Sequence, residues 1–502
     1  MEPSIQKTID NLSPEQRAKL RSYLSERLSG NARRAEDNRH PLSEQQKQMW
    51  FLQQLDPEDV SYNNPAAVRI VGPLDIAVLE KCFTEIVRRH SALRSSVALP
   101  EQDPVQTVNA PVPVPIAVHD LTGMSEEEKT NESLRLSEQE INRPFDLSNP
   151  LMLRVSVIRM AEEHYILIAN IHHIASDGWS LGILFHELFH LYQANKTGIP
   201  SSLKEPEWQY TDYVKFQERY LESPNTEKEL QFWKGKLEGI DRNPPIPTDY
   251  PRSSTTASIG KREHFEIGSE VSKQLAELGK EQGATLFMVL MSAYFCLIRM
   301  YSHNSDIAVG TPVAGRINRE TQQTIGCFIN TVVYRLQLSG SSTFRELLQA
   351  VKLYSFEALS HQSVPFSHVV KHLHPSRQLN QNPYYQTMLV MNNAPLEHIN
   401  LPGLKVEHFD IYPGRSKVDW LLSIAELSSG LKGFLVYNSA LYKKETIEQV
   451  TAVYSRILAK AASHPETTLE QLANLMPADA RPAKAAPQKF VRKSAYSLIE
   501  GR

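Results

Sequence analysis

Seven consecutive residues, 172–178, hold an unusual density of side chains that can do chemistry. The segment reads HHIASDG, with adjacent histidines His172 and His173, a carboxylate at Asp177 and a glycine at Gly178. An imidazole accepts protons near neutral pH, a carboxylate can fix local geometry, and a glycine lets another molecule approach the backbone closely. The HHIASDG segment therefore predicts a site in which a histidine acts as a general base or positions a reacting group.

The residues around the HHIASDG segment predict the elements that hold it. The apolar run 165–171 is typical of a strand, and leucine and aromatic side chains in residues 179–195 have helical spacing. The segment is thus predicted to form a strand-to-helix loop, a place where scaffolds commonly present reactive side chains. Adjacent residues of a strand point to opposite faces, so the two histidines are not expected to face the same site.

Bulk composition limits the function classes. The chain has 502 residues, a formal net charge of −3 and a pI of about 6.6, which predicts two or three domains and neither nucleic acid nor a membrane as a partner. Three scattered cysteines in apolar stretches predict free thiols and a reducing, cytoplasmic location. The longest apolar run, residues 286–298, is too short to span a bilayer, and residues 1–40 lack the apolar core of a signal peptide.

The order of predicted elements divides the chain into four parts. Residues 1–40 are predicted to form a helix and a linker that either lies on the main body or docks an upstream protein. Residues 41–215 and 216–475 mix strands and helices in a similar order, which predicts an α/β fold of two related lobes. Residues 476–502 are predicted to be a linker or tail, and their last four residues, IEGR, match a common protease tag.

Two patterns suggest a metal site, and we predict none. The histidines and the aspartate of the HHIASDG segment are ligand types, but the histidines cannot easily share one ion. Residues 186–190 spell H-E-x-x-H, the helix pattern of zinc proteases. A helical wheel places His186 and His190 opposite the apolar stripe, which predicts a solvated face. The sequence also lacks a phosphate-binding glycine loop.

Seven motifs in a fixed order make the chain resemble a condensation domain of nonribosomal peptide synthetases. The HHIASDG segment matches the H-H-x-x-x-D-G motif of that family. The other six matches are the opening motif at residues 42–52, R-H-x-x-L-R at 89–94, Y-x-D-Y at 210–213, I-G-x-F-x-N-T at 325–331 followed by Arg335, H-Q-x-x-P-F at 361–366, and Arg377 with Asn382 and Pro383. The resemblance covers about residues 41–475.

The chain departs from the family pattern at four positions. These are Gln48 in the opening motif, Ser363 in H-Q-x-x-P-F, and Gln378 and Gln381 in the last motif. They leave the HHIASDG segment intact, so they bear on the choice of donor or acceptor. Cyclisation members of the family replace the histidines with aspartates and recruitment members have a degraded motif, so the intact segment disfavours both. The D-F-G-W-G motif of plant-type acyl-CoA transferases is absent from the sequence.

The resemblance implies two lobes like chloramphenicol acetyltransferase, set as a V-shaped pseudo-dimer around a central tunnel. It implies an acyltransferase that joins a carrier-bound acyl or peptidyl thioester to an amine acceptor. Donor and acceptor carrier proteins would be its partners, with adjacent adenylation or polyketide synthase modules. The chain itself would bind no cofactor and would be a monomer, because the carriers deliver the phosphopantetheine arms.

The resemblance also assigns roles to residues. The candidate catalytic residues are His172, His173, Asp177 and Gly178. Among them, His173 would accept or organise the proton of the amine, while His172 would support the loop and Gly178 would admit the substrate or the arm. Asp177 would be structural and paired with an arginine, for which Arg316 is the first choice and Arg335 the reserve. The amide groups of Gly178, Trp179 and Ser180 would stabilise an oxyanion. The candidates for lining the tunnel are Trp179, Ser180, Asn330 and Tyr334.

Two other functions stay open at the level of sequence. One is a free-standing acyltransferase that uses a soluble amine or alcohol, which fits the absence of adenylation and carrier motifs from the chain. The other is a module that docks or gates carrier proteins without chemistry. An assay with loaded donor and acceptor carriers separates them from the condensation enzyme.

Overall fold

The computed structural model of the chain describes residues 38–99, 103–240, 246–252, 259–373, 382–392 and 403–477. The predicted N-terminal helix and the predicted tail lie outside these residues, apart from a few positions at their inner ends. Arg377, Gln378 and Gln381 of the last motif also lie outside them.

The described residues form two compact units. The first takes the chain up to Thr226 and adds Ala314–Ile329 and the described part of Pro395–Pro413, and the second takes the rest. This differs from the predicted boundary between residues 215 and 216 and from the assignment of all later residues to one lobe. The physical reason is long-range packing: Phe328 lies in the core of the first unit, and Lys405–His408 pairs with one of its strands.

The first unit contains a five-stranded and a three-stranded sheet. Its strands are β1 (Arg39–Pro41), β2 (Asn63–Val71), β3 (Ser95–Ala98), β4 (Val105–Val108), β5 (Ile116–Asp120), β6 (Leu153–Ala161), β7 (His164–His172) and β12 (Lys405–His408). Its helices are α1 (Glu44–Leu55), α2 (Ile76–Arg89), α3 (Glu126–Ile141), α4 (Gly178–Thr197) and α5 (Tyr210–Leu221). The larger sheet has the order β12-β2-β7-β6-β5 and only β5 and β6 are parallel, whereas the smaller sheet is β1-β4-β3.

Strand β7 is buried on both faces, which explains its nearly continuous apolar sequence. Tyr165, Leu167, Ala169 and Ile171 pack into the main core together with residues of α2 and α4. Ile166 and Ile168 point the other way, into a second cluster that includes Ile141 of α3. Strand β7 therefore delivers the HHIASDG segment from a rigid central position.

The second unit has one six-stranded mixed sheet. Its strands are β8 (Gly260–Gly268), β9 (Asp306–Val313), β10 (Asn330–Gln337), β11 (Thr387–Asn392), β13 (Trp420–Leu427) and β14 (Gly430–Asn438). Its helices are α6 (Pro224–Leu237, which the chain enters from the first unit), α7 (Ser269–Glu281), α8 (Leu286–Ser302), α9 (Phe344–Ser360), α10 (Phe366–Leu373), α11 (Lys444–Ser463) and α12 (Leu469–Leu472). The strand order is β10-β9-β11-β13-β14-β8, with β11 parallel to both of its neighbours.

Four short 3-10 helices complete the described secondary structure: Ser91–Arg94, His173–Ala175, Arg319–Thr321 and Ala473–Leu475. In the described part of the chain, no single helix is long and apolar enough to cross a membrane; α7 and α8 meet that criterion only as a pair bent by 105°. Cys82, Cys296 and Cys327 are buried and form no disulfide, as the sequence predicts.

Candidate functional site

The HHIASDG segment begins where β7 ends and finishes where α4 starts. Strand β7 pairs with β2 on one side and β6 on the other, and His172 lies opposite Asn63 in the register. One 3-10 turn, His173–Ala175, follows, and Asp177 is the N-cap of α4. Both ends of the segment are thus fixed by regular structure, as the sequence predicts.

His172 is buried and holds the turn. Its Nδ1 accepts a hydrogen bond from the Ile174 N–H at 3.1 Å. The ring centroids of Tyr62 and Phe145 lie 6.3 and 5.8 Å from that of the imidazole. Because Nδ1 accepts, the neutral ring carries its proton on Nε2. This geometry supports a loop-supporting role and gives no support to counting His172 among the catalytic residues.

His173 is half-buried and is held in the opposite tautomer. Its Nδ1 lies 3.1 Å from the carbonyl oxygen of Ser176, and its backbone N–H donates to Tyr62 O at 2.8 Å. A carbonyl oxygen can only accept, so Nδ1 donates and the lone pair of the neutral ring is on Nε2. His173 therefore presents Nε2 as its basic atom, which is the arrangement a general base requires.

Asp177 is the centre of a buried hydrogen-bond network. Its Oδ1 accepts from the backbone N–H of Ser180 at 2.8 Å and from the Ser180 hydroxyl at 2.7 Å, which caps α4. Its Oδ2 accepts from the backbone N–H of Phe328 at 3.1 Å. The carboxylate therefore joins the start of α4 to the 314–329 segment, residues Ala314–Ile329.

Arg316 supplies the positive charge opposite Asp177, as expected. Its Nη2 lies 3.0 Å from Asp177 Oδ1, and the two side chains are only 2% and 3% exposed. The guanidinium also donates to the carbonyl oxygens of Thr321 and Thr324 and lies 4.1 Å from the Phe328 ring centroid. The reserve candidate, Arg335, lies in the second unit.

Arg335 has a different acidic partner. It forms a bidentate pair with Asp306 at 2.6 and 2.8 Å. This pair joins β10 to the neighbouring strand β9, and the guanidinium of Arg335 also donates to the carbonyl oxygens of Lys236 and Glu238 in the same unit.

Further contacts attach α4 to the 314–329 segment. The Ser180 hydroxyl accepts from the Gly326 N–H at 3.1 Å, and Trp179 Nε1 donates to Gln322 O at 3.0 Å. Gly326 packs against Tyr210, whose Cδ2 would lie 2.1 Å from a Cβ at that position, so only glycine fits. Tyr210 in turn donates to Cys327 O at 2.8 Å and accepts from the Ser43 hydroxyl at the same distance.

Two residues that position the HHIASDG segment were missed from the sequence. Gln46 is buried, and its Nε2 donates to Ile174 O at 3.1 Å. Asn64 donates to the Ser176 hydroxyl at 3.2 Å. Gln46 belongs to the opening motif, and its N3 position after the N-cap Ser43 was the available signal. That signal predicts a capping box but not the second contact of its amide.

The R-H-x-x-L-R motif forms a buried ion pair with the middle of α4. Arg89 contacts the two carboxylate oxygens of Glu187 at 2.9 and 3.0 Å, and His90 Nε2 lies 3.1 Å from Oε2. Burial alone raises the pKa of the Glu187 carboxyl, but hydrogen bonds from His90 and Arg89 outweigh it and lower the pKa to about 2. The predicted solvated face is confirmed for His186 and His190, whereas Glu187 faces the interior.

Three of the four residues expected to line a passage are buried within their own units. Ser180 is occupied by the Asp177 network, and Asn330 bonds to Gln362 O, Val364 O and the Phe366 N–H. Tyr334 packs against Tyr354 with ring centroids 5.3 Å apart. Ser180, Asn330 and Tyr334 are therefore structural here, and Trp179, which is 52% exposed, stays a candidate.

The backbone of the first turn of α4 is accessible at Gly178. Gly178 is exposed, and a Cβ built on it would meet no described atom within 4 Å. The N–H of Ser180 already donates to Asp177, which corrects its expected role in an oxyanion site. The N–H groups of Gly178 and Trp179 remain as candidates for that role.

Two of the three cysteines are poor candidates for a nucleophile. Burial raises the pKa of both the Cys82 and the Cys296 thiol to about 12. A thiol with such a pKa is protonated at neutral pH and is a poor nucleophile. Neither thiol therefore competes with His173 as the reactive group.

The family model and the most similar known proteins point to the same family. A family model described as a condensation domain matches residues 36–481. One of the linear gramicidin synthase proteins of Brevibacillus parabrevis is 38% identical over 434 residues, which are 86% of this chain and 8% of that protein. Chondramide synthase of Chondromyces crocatus is 34% identical over 425 residues, 85% of this chain and 11% of that protein. The chain thus spans about a tenth of the length of these relatives.

Solved structures share the fold. The X-domain from teicoplanin biosynthesis has a TM-score of 0.78 at 23% identity and covers 86% of this chain and 97% of that one. The first condensation domain of the calcium-dependent antibiotic synthetase, in complex with a substrate analogue, has a TM-score of 0.73 at 21% identity, covering 86% and 98%. These likenesses confirm the predicted fold class, an α/β fold with mixed sheets that the chain shares with these structures.

The Asp177–Arg316 pair generates a stability prediction. Asp177→Asn leaves the Arg316 charge buried without its counter-ion, and we expect a loss of about 3–5 kcal/mol in the free energy of unfolding. The double variant Asp177→Asn, Arg316→Met should lose less than the sum of the two single variants, because it removes both charges. Urea unfolding followed by circular dichroism measures both quantities.

The matched control for this pair is an exposed one. Arg135 and Glu132 form an ion pair on the surface of α3, and Arg135→Met should cost at most about 1 kcal/mol. If Asp177→Asn kept the wild-type stability and yet abolished activity, the carboxylate would belong to the chemistry and its structural assignment would be wrong.

The Glu187 cluster generates a pH prediction. The pKa of its carboxyl in the folded protein is about 2, below the ordinary value of 4.5. The cluster therefore stabilises the fold above about pH 4.5, and this contribution is lost as the pH falls toward 2. Glu187→Gln should be destabilised relative to wild type at pH 7, and the difference should shrink as the pH is lowered below about 4.5.

Urea titrations between pH 7 and pH 3 measure this difference. Glu58→Gln, a change at an exposed loop position, is the control and should follow wild type throughout. A difference between Glu187→Gln and wild type that stays constant over the whole range would contradict the lowered pKa.

Proposed function

The chain belongs to the condensation-domain family, and we propose that it joins an acyl or peptidyl thioester to an amine acceptor by forming an amide bond. The observation that carries the proposal is the state of His173. Donation from Nδ1 to Ser176 O leaves the lone pair of the half-buried ring on Nε2. That atom belongs to a loop fixed by the buried Asp177–Arg316 pair.

Amide formation from an amine and a thioester needs a group that accepts a proton, as the Nε2 atom of His173 can. A free α-amine has a pKa of about 8, so most of it is protonated at pH 7. The ammonium form first loses one proton, and the neutral nitrogen then attacks the thioester carbonyl carbon. The C–N bond forms, the C–S bond breaks, and a second amine proton reaches the leaving thiolate. A histidine that accepts and returns this proton contributes about 10²–10⁴-fold. Orientation of the two substrates contributes up to roughly 7–11 kcal/mol in favourable cases.

The start of α4 supports a place for the thioester carbonyl. Gly178 is exposed and has open space where a side chain would be. The first N–H groups of a helix favour negative charge. The N–H groups of Gly178 and Trp179 would stabilise the oxyanion that forms when the amine adds to the carbonyl.

The relatives and one structural neighbour support the proposal that the substrates are bound to carrier proteins. Linear gramicidin synthase and chondramide synthase are the matched proteins, and one structural neighbour is a four-domain nonribosomal peptide synthetase. We propose that donor and acceptor carrier proteins present phosphopantetheine thioesters to this chain, which itself holds no cofactor. Adjacent adenylation or polyketide synthase modules would supply them. In this proposal the chain acts as a cytoplasmic monomer.

One reconstitution separates this function from its rivals. Purified chain is incubated with a donor carrier loaded with an acyl group and an acceptor carrier loaded with an aminoacyl group, and the acceptor is analysed by intact mass. Condensed product on the acceptor carrier supports the proposal. Product formed only with a soluble amine or alcohol indicates a free-standing acyltransferase, and carrier binding without product indicates a docking module.

His173→Ala should lower the rate of product formation by about 10²–10⁴-fold, because no general base remains at that position. The rate is measured by quenched-flow or timed mass analysis, and circular dichroism checks the fold. His173→Gln keeps a polar side chain without a base and should be nearly as slow. Full turnover of His173→Ala would contradict the base assignment and leave only substrate positioning.

Gly178→Ala should slow product formation while leaving the fold intact. Alanine is a better helix residue than glycine by roughly 1 kcal/mol, and the Cβ meets no described atom within 4 Å. A loss of rate would therefore come from contact with a substrate or its arm. Gly123→Ala, at an exposed position with the same open space, is the control. Wild-type rates for both Gly178→Ala and Gly178→Val would exclude close approach at this backbone.

A further inference from the structure

Helix α4 exposes two histidines one helical turn apart. His186 and His190 are both exposed, and their ring centroids lie 4.5 Å apart. Residues at positions i and i+4 lie above one another on a helix surface. The same spacing lets two imidazoles bind one metal ion in helical metal sites.

The third functional residue of a zinc-protease helix is unavailable in this chain. Glu187 faces the interior, where Arg89 and His90 occupy its carboxylate. In the described part of the chain, no group of three or more histidine, cysteine, aspartate or glutamate side chains is placed to hold a metal. Any ion at His186 and His190 would therefore have two protein ligands, with water in its other positions.

The sequence predicts no metal site at this helix, but the closeness of the two exposed rings changes that expectation. We propose that His186 and His190 form a two-imidazole binding site for a divalent transition-metal ion. Imidazole nitrogen suits copper, nickel and zinc, whereas magnesium and calcium prefer oxygen ligands. Affinity should follow the order Cu²⁺ above Ni²⁺ and Zn²⁺, with Mg²⁺ not bound. The inference does not depend on the condensation activity, because neither histidine belongs to the HHIASDG segment.

A bound ion would cross-link one turn of α4. The helix begins at Gly178, so the site lies roughly two and a half to three and a half turns from the N-cap Asp177. The ion would stabilise the folded helix by binding the folded state in preference to the unfolded one. The expected result of binding is a higher midpoint of thermal unfolding, with no new contact to His173.

The test is titration of the intact chain with CuCl₂, NiCl₂, ZnCl₂ and MgCl₂, followed by calorimetry and thermal unfolding. His186→Gln and His190→Gln should each weaken Cu²⁺ binding by at least about tenfold and abolish the rise in unfolding temperature. His164→Gln, at another exposed histidine, is the matched control and should bind as wild type does. Because all three positions are exposed, the variants are expected to fold.

Electron paramagnetic resonance of the Cu²⁺ form gives an independent readout. Nitrogen splitting from two imidazoles is expected in wild type, and splitting from one in His190→Gln. Binding that is equal in wild type and both variants, or a spectrum that does not change on substitution, would overturn the proposal. Tighter binding of Mg²⁺ than of Ni²⁺ would overturn it as well.

Discussion

The buried pair of Asp177 and Arg316 is the interaction on which the candidate site depends. One carboxylate caps α4, receives the Phe328 N–H and neutralises the guanidinium. A buried pair adds little stability compared with a well-packed apolar pair, but breaking it leaves a charge without solvent or partner. Its effect is therefore to specify one arrangement: α4 begins at Gly178, and the 314–329 segment lies against its first turn.

The two adjacent histidines show how the same side chain acquires two roles from its surroundings. Nδ1 of His172 accepts from a backbone N–H, whereas Nδ1 of His173 donates to a backbone carbonyl. The bonds fix opposite tautomers one residue apart. The first ring is enclosed by Tyr62 and Phe145, and the second is half-buried with Nε2 as its base. Hydrogen bonds to backbone groups of the same loop thus give the two histidines different roles, which the residue type alone does not reveal.

Local sequence patterns predict those helices and strands that are determined by interactions between residues close in sequence. Helix α8 was expected over residues 286–301 and ends one residue later, and β7 was expected over 165–171 and gains one residue at each end. The edge strand β12 was missed, because a short strand of alternating charge pairs with β2 more than 300 positions earlier. The helical wheel correctly predicts that His186 is exposed. It does not predict that Glu187 is buried, because that burial depends on the ion pairs with Arg89 and His90.

The sequence predicts well the site residues that lie together in the HHIASDG segment. It predicts less well the residues whose role depends on packing between distant segments. Arg316 was identified as the partner of Asp177, and the pair is present. Ser180, Asn330 and Tyr334 were expected to line a substrate tunnel, yet each has its polar group or ring engaged by neighbours in its own unit. Polar residues near a reactive motif are as often its supports as its lining, and only three-dimensional packing separates the two.

The 314–329 segment has a consequence for how the protein is made. Ile325, Cys327 and Phe328 complete the core of the first unit, and β12 completes its sheet, although both follow Thr226 by many residues. Domains usually fold as units while the chain leaves the ribosome. Here the core of the first unit stays incomplete and the edge of its sheet stays open until residues 314–329 and 405–408 have been translated. Residues up to Thr226 therefore do not by themselves contain the complete core and sheet of the first unit.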